Sequence, residues 1–314
     1  MTQADRADDG PWGDRRRAID AALDALVELE VARLPSPVGE AIRYALGGGK
    51  RIRGILLLSA YDASRCGAGG GGGARRATTA PRGADGLAAA VEVVHAYSLV
   101  HDDLPCMDDD DMRRGRPTVH RAFGVRAATV AGLAMVPLAV RATLAGAAAA
   151  GLDARTATRA VGTLMSAAGA GGMIGGQALD LAAEGMPMTV EGLDAIHRGK
   201  TASLIAAAAV LGGLAGGAGE EALARLEAFG QAIGLAFQIT DDVLDVTGTS
   251  AALGKTAGRD VALNKSTYPA LVGIAEAGAR ARRLIDDACA GLGAVGLLTP
   301  DLELVAKVIV ERRS

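Results

Sequence analysis

Two clusters of aspartate lie far apart in the chain: His101-Asp102-Asp103-Leu104-Pro105-Cys106-Met107-Asp108-Asp109-Asp110-Asp111 and Asp241-Asp242-Val243-Leu244-Asp245. Both adjoin strongly apolar sequence, Val91–Val100 and Ile233–Ile239. A desolvated, unpaired carboxylate is costly, so acids in such company imply a cation, a metal or a surface turn. Many carboxylates on two facing helices would suit several Mg²⁺ ions, which take a few carboxylates plus phosphate oxygens in preference to an all-protein cage. The pattern points to diphosphate chemistry.

Asp241 and Asp245 are one helical turn apart and so share a face, with Asp242 on the flank. Pro105 should stop the first helix near Leu104, leaving Asp102 and Asp103 on its last turn, where the helix dipole disfavours negative charge. A cation would relieve that, and Asp108 would return from the following loop. Either cluster could instead be a solvated acidic helix end. The first runs into Arg113-Arg114-Gly115-Arg116, and guanidinium is the group best shaped for bidentate phosphate contact. Gly47-Gly48-Gly49-Lys50-Arg51-Ile52-Arg53 is a second basic loop, without the spacing of a P-loop. Lys200-Thr201, Gln238 and Lys255-Thr256 are further polar groups beside apolar sequence, each by itself more often a cap or a solvated end. His95 inside its apolar helix could be a hydrogen-bonded core residue.

The elements that must position these groups read as helices. Of 314 residues, 50% are apolar but only 3% aromatic. Such Ala-rich, aromatic-poor sequence favours close-packed helices over sheets. Residues 1–14 read as a disordered tail, and 15–314 as one domain with a flexible Gly-rich connection at 67–83. Helical patterns cover Arg15–Arg33, Ala41–Leu46, Ile55–Ser64, Leu87–Leu104, Ala122–Ala150, Ala154–Leu181, Val190–Leu214, Glu220–Val246, Pro269–Ala290 and Asp301–Val310, with no hairpin pattern. Three unpaired cysteines indicate neither a disulfide framework nor zinc. The net charge of −3 offers no general attraction to nucleic acid. Thr201–Gly219 is uncharged but mostly Ala and Gly, so it reads as a buried core helix and not as stable membrane insertion. A cytoplasmic protein is expected.

Together these residues resemble the trans-isoprenyl diphosphate synthases, or polyprenyl synthetases. The likeness runs from Gly48-Gly49-Lys50-Arg51-Ile52-Arg53 through the first aspartate motif to Arg113-Arg114-Gly115-Arg116-Pro117-Thr118. It continues in Met173-Ile174-Gly175-Gly176-Gln177-Ala178-Leu179-Asp180, Lys200-Thr201, Gly234 to Asp245, Leu253-Gly254-Lys255-Thr256 and Lys265-Ser266-Thr267-Tyr268-Pro269. The resemblance implies an all-α isoprenoid synthase-type bundle of ten or more helices around a deep apolar cavity, usually as a homodimer. It implies a Mg²⁺-dependent prenyltransferase joining isopentenyl diphosphate to allylic diphosphates. Asp102, Asp108, Asp241 and Asp245 would serve three Mg²⁺ ions, with Asp103 and Asp242 in support. Arg113, Lys200, Thr201, Gln238 and Lys255 would hold the allylic diphosphate. Lys50, Arg53, His95 and Arg114 would hold isopentenyl diphosphate. Tyr97 and Ser98, just before Asp102, would floor the cavity and stop the chain at farnesyl diphosphate.

The chain departs from that pattern at Gly54, usually proline, and at Arg259, often lysine. Val125 and Leu133 stand where acids are usual, and Pro137 falls inside an expected helix. These changes keep open a weakly active or non-catalytic partner of another prenyl synthase; a geranylgeranyl diphosphate synthase is the alternative within the class, and the intact isopentenyl diphosphate pocket argues against a terpene cyclase. In an active synthase, Leu133 should leave a weakened polar shell near the allylic site.

Overall fold

A computed structural model describes residues 10–67, 83–247 and 266–310. Residues 1–9 of the proposed tail, nearly all of the Gly-rich connection, and Lys255 and Arg259 lie outside the described residues. The chain is helical: α1 Gly13–Glu30, α2 Val38–Leu46, α3 Ile52–Gly67, α4 Ala84–Asp102, α5 Val119–Phe123, α6 Val125–Ala149 and α7 Ala154–Ala168. There follow α8 Met173–Ala182, α9 Val190–His197, α10 Ser203–Gly216, α11 Glu220–Thr247, α12 Tyr268–Val272, α13 Ile274–Gly293 and α14 Pro300–Val310. Helix α1 begins inside the stretch read as tail.

Four of the expected helices are interrupted, and the cause is local. Gly124 and Gly273, at φ +85° and +82°, break the Ala122–Ala150 and Pro269–Ala290 patterns. Gly169 and Gly172 adopt non-helical backbone between α7 and α8. Between α9 and α10 the helix widens into a π-turn, Arg198–Ala202. Contrary to the sequence reading, one hairpin exists: β1 (Met112–Arg113) pairs antiparallel with β2 (Arg116–Pro117). Arg114 and Gly115, both at positive φ, make its turn. Pro137 does not end α6. It sits on the exposed face, where the carbonyl it leaves without a helical donor can meet water.

Helix α10 is the axis of the core. It is buried along nearly its whole length and packs against α3, α4, α7 and α11. Helices α4 and α6 form another extensive interface, and α11 lies on α13. Two helical stretches, Val125–Ala149 and Val190–Gly216, are long and apolar enough to cross a membrane, but 78% of the second stretch's most apolar window is buried in the protein.

Candidate active site

The C-terminal ends of α4 and α11 meet at a cavity of about 830 Å³. Asp102 and Asp108 from the first acidic cluster line it, as do Asp241 and Asp242 from the second. Asp103 does not. It is 2% exposed and chelated by Arg113, with Nε at 2.7 and 2.9 Å from its two oxygens and Nη2 at 2.5 Å. Successive helical residues point ~100° apart, so one of this pair faces the cavity and the other turns to the hairpin. Burial, together with Asp108 and Asp103, pushes the Asp102 carboxyl up to about 6, against the pull of Lys200 and Arg113.

The second cluster also divides. The Asp242 carboxylate accepts a hydrogen bond from the Tyr268 backbone N–H at 2.9 Å, and the same oxygen lies 3.5 Å from His197 Nε2. It ties α11 to α12 as much as it faces the cavity. Asp245 is 4% exposed and is not part of the cavity wall; neither carboxylate oxygen has a hydrogen-bond partner among the described residues.

Lys200 and Thr201 ride on the π-turn, a distortion often found at functional sites. Two glycines let helices approach it closely. A Cβ on Gly176 would fall 2.0 Å from the Lys200 nitrogen, and one on Gly234 would fall 2.5 Å from Ala202 Cα. One turn beyond each glycine stands a partner: Asp180, which takes a 2.7 Å bond from Lys200 Nζ, and Gln238, whose Oε1 accepts from Thr201 Oγ1 at 2.9 Å.

The cavity is also lined with cations. Lys50, Arg53, His95, Arg113 and Arg114 all line the cavity. Gly49, at φ +100°, brings the basic loop against the hairpin, since a Cβ there would sit 2.6 Å from Arg114 Nη1. Burial, then the charges of Arg53, Arg114, Arg113 and Arg51, holds His95 well below the usual histidine range and therefore neutral. So many guanidinium groups around a neutral imidazole form a pocket for an anion.

Of the two residues expected at the cavity floor, Ser98 lines the cavity, whereas Tyr97 is not among the lining residues and packs its ring edge-on against His101 at 5.0 Å. Leu133 is 62% exposed and Val125 48%, both on the outer face of α6, so no polar shell of the cavity is missing there. Sequence reasoning gave no role to Arg51, Glu92, Asp180 and His197, which line the same cavity. For Asp180 a signal was present, its place in the Gly-Gly-Gln-Ala-Leu-Asp run.

No three His, Cys, Asp or Glu side chains converge on a protein-only metal site among the described residues. Asp102, Asp108 and Asp241 line one cavity, and burial first, then the neighbouring Asp108 and Asp103 charges, raises Asp102. This donor set fits Mg²⁺ completed by diphosphate oxygens.

The polyprenyl synthetase family profile matches residues 35–291. The chain belongs to the polyprenyl synthetase family. It is 46% identical over 290 residues to the farnesyl diphosphate synthase of Escherichia coli (strain K12), covering 90% of this chain and 92% of that protein. It is also 41% identical over 278 residues to geranylgeranyl pyrophosphate synthase 7 of Arabidopsis thaliana, covering 87% and 75%. Among solved structures, the Helicobacter pylori geranyltransferase complexed with magnesium and isoprenyl diphosphate superposes with a TM-score of 0.73 at 28% identity, covering 94% of this chain and 96% of that one. The polyprenyl synthetase is thus a short-chain prenyltransferase, and its relatives make products of differing length.

Proposed function

We propose that this polyprenyl synthetase makes farnesyl diphosphate by successive additions of isopentenyl diphosphate to allylic diphosphates. One observation carries the condensation reading: acidic residues (Asp102, Asp108, Asp241) and basic residues (Lys50, Arg53, Arg113, Arg114) line the same cavity. Lys200, Thr201, Gln238 and Lys255 would hold the allylic diphosphate. Lys50, Arg53, Arg114 and neutral His95 would hold isopentenyl diphosphate, with the imidazole as a hydrogen-bonding group adding no positive charge.

Asp102, Asp108 and Asp241 would hold Mg²⁺, three ions in the full complement, which supply Lewis acidity to the diphosphate oxygens. Lys200 and Arg113 add fixed positive charge where negative charge develops as the diphosphate departs. Ala96, Leu99, Ile205 and Phe237 line the cavity with apolar surface, keeping water from the allylic carbocation. The double bond of isopentenyl diphosphate attacks that cation. The proton then lost can go to the released diphosphate, so no protein base is required.

A second copy of the chain is proposed to dock on α6. Val130, Leu133 and Leu144 are 42, 62 and 47% exposed, and with Pro137 they form a stripe at helical spacing. Contiguous apolar surface of this kind is usually covered. The outward placement of Leu133 leaves the charged residues of the cavity intact, which favours a catalytic chain over a non-catalytic partner subunit. Nothing in the composition calls for nucleic acid, and a cytoplasmic location fits the mostly buried α10.

The test is incubation of the purified protein with Mg²⁺, labelled isopentenyl diphosphate and dimethylallyl, geranyl or farnesyl diphosphate, followed by sizing of the products. Farnesyl diphosphate is expected from the first two and no extension of the third. Mainly geranylgeranyl diphosphate would overturn the product reading. Absence of all condensation would overturn the catalytic one.

A further inference from the structure

The basic loop carries an unusual backbone. Gly48 and Gly49 lie at φ +75° and +100°, and Arg51, which has a Cβ, lies at +53°. A non-glycine residue stays in the left-handed region only when its surroundings hold it there. Arg51 is held from three helices. Its Nε donates to Asp20 of α1 at 2.8 Å, Nη2 donates to the Leu46 carbonyl of α2 at 2.6 Å, and Nη1 lies 3.9 Å from Glu92 of α4. Arg51 is 7% exposed and Glu92 3%.

Glu92 has a second attachment. Its Oε1 accepts the Gly54 backbone N–H at 2.9 Å, at the start of α3. Proline, which the resembling family usually places there, has no N–H to give. Glycine at this position therefore adds a bond between α4 and the loop that a proline would forbid. Glu92 also stands one turn before His95 on α4, so the same helical face carries the anchor and a wall residue of the basic pocket.

We propose that Asp20, Arg51 and Glu92 are positioning residues that set the backbone carrying Lys50 and Arg53, and through it the affinity for isopentenyl diphosphate. The inference rests on the reading of that pocket as the isopentenyl diphosphate site. Asp20 is the informative member. It sits on α1, outside the cavity wall, with its side chain 43% exposed, and it reaches the loop through Arg51. Glu92 adds a carboxylate at the edge of a cluster of arginines, held by the Gly54 N–H within 3.9 Å of Arg51.

The experiment measures KM for each substrate, kcat and the melting temperature for Asp20→Asn, Glu92→Gln and, as reference, Arg53→Gln, all in the full-length protein. Asp20→Asn should raise KM for isopentenyl diphosphate about threefold and Glu92→Gln about tenfold, the range for loss of partly exposed and buried charge-assisted contacts. For Asp20→Asn, KM for the allylic substrate and kcat should stay within about twofold, a split that a general loss of packing would not give. If both KM values rise together, or kcat falls without a change in either, the network is structural only and the proposal fails. If Arg53→Gln leaves KM for isopentenyl diphosphate unmoved, the pocket assignment fails, whatever Asp20 does. Should Glu92→Gln fold poorly, Asp20→Asn decides by itself, because its side chain lies at the surface.

Discussion

Lys200 Nζ sits 2.7 Å from the Asp180 carboxylate, and the same ammonium is the strongest charge opposing the upward push on Asp102. One lysine thus serves two acids on different helices. Gly176 makes the arrangement possible, since any side chain there would separate α8 from the π-turn.

Asp180→Asn should release Lys200 toward Asp102 and lose one anchor of the allylic pocket. An increase of about tenfold in KM for the allylic substrate is expected, as for a hydrogen bond to a charged group. KM for isopentenyl diphosphate should change little. Steady-state kinetics with each substrate varied in turn would check this; equal increases in both would argue that Asp180 supports the cavity as a whole.

Asp102 gives a pH signature. Its carboxyl titrates near 6 in the folded protein against 3.8 ordinarily. Between those values the folded state holds a proton that the unfolded state has lost, so metal-free stability falls as pH rises through the window. The full loss is at most about 3 kcal/mol, from roughly 2.2 units at 1.36 kcal/mol each. Asp102→Asn should therefore be more stable than wild type at about pH 7.5 in chelator, with the advantage fading toward pH 4. Mg²⁺ needs the ionised form, so its stabilising effect on the wild type should grow as pH rises through 6. Thermal melts with and without Mg²⁺ would show it, and an effect of Mg²⁺ independent of pH would count against Asp102 as a ligand.

Much of this was legible in the sequence, and the failures have specific causes. The long helices follow from periodicity, and the site from acids and bases set in apolar runs. The ranking of Asp102 above Asp103 came from the family resemblance and not from local pattern: Asp103 is turned away by Arg113, whose position depends on the hairpin at Arg114 and Gly115. Periodicity in Ala- and Gly-rich stretches is too weak to locate breaks such as Gly124 or the turn before α8. Glu92 and Asp20 were invisible because their partner, Arg51, comes from a loop whose left-handed backbone no local pattern announces.

The unequal placing of the second cluster separates Asp241 from Asp245. Asp241→Asn should lower kcat by about 10³ or more while the fold survives, as when a metal-held charge at the reacting centre is removed. Asp245→Asn removes a buried carboxylate that lacks partners among the described residues, so stability should be unchanged or higher, with kcat reduced less than about tenfold. Circular dichroism melts beside turnover numbers would distinguish the two. Comparable losses of kcat would place Asp245 among the ligands instead.

The stripe on α6 predicts assembly. Leu133→Asp puts a charge at the middle of an exposed apolar face, where burial in a dimer would be costly and exposure in a monomer free. Light scattering after size exclusion should show a dimer for the wild type and a monomer for the variant. A dimeric Leu133→Asp protein would place the interface elsewhere.

Product length should answer to Ser98 more than to Tyr97. Ser98 lines the cavity one turn before Asp102, where a prenyl tail leading away from the carboxylates would pass. A phenylalanine there fills space that the tail needs, so Ser98→Phe should shift the product from farnesyl toward geranyl diphosphate. Tyr97 is 9% exposed and packs against His101, which itself lies against Gly132 of α6. Tyr97→Ala should cost about 3 kcal/mol in stability, as for truncation of a buried aromatic, and leave the product length unchanged. Chromatographic sizing of products from both variants would decide between them. A clear move to longer chains in Tyr97→Ala, with Ser98→Phe unaffected, would restore Tyr97 as the floor and remove Ser98 from that role.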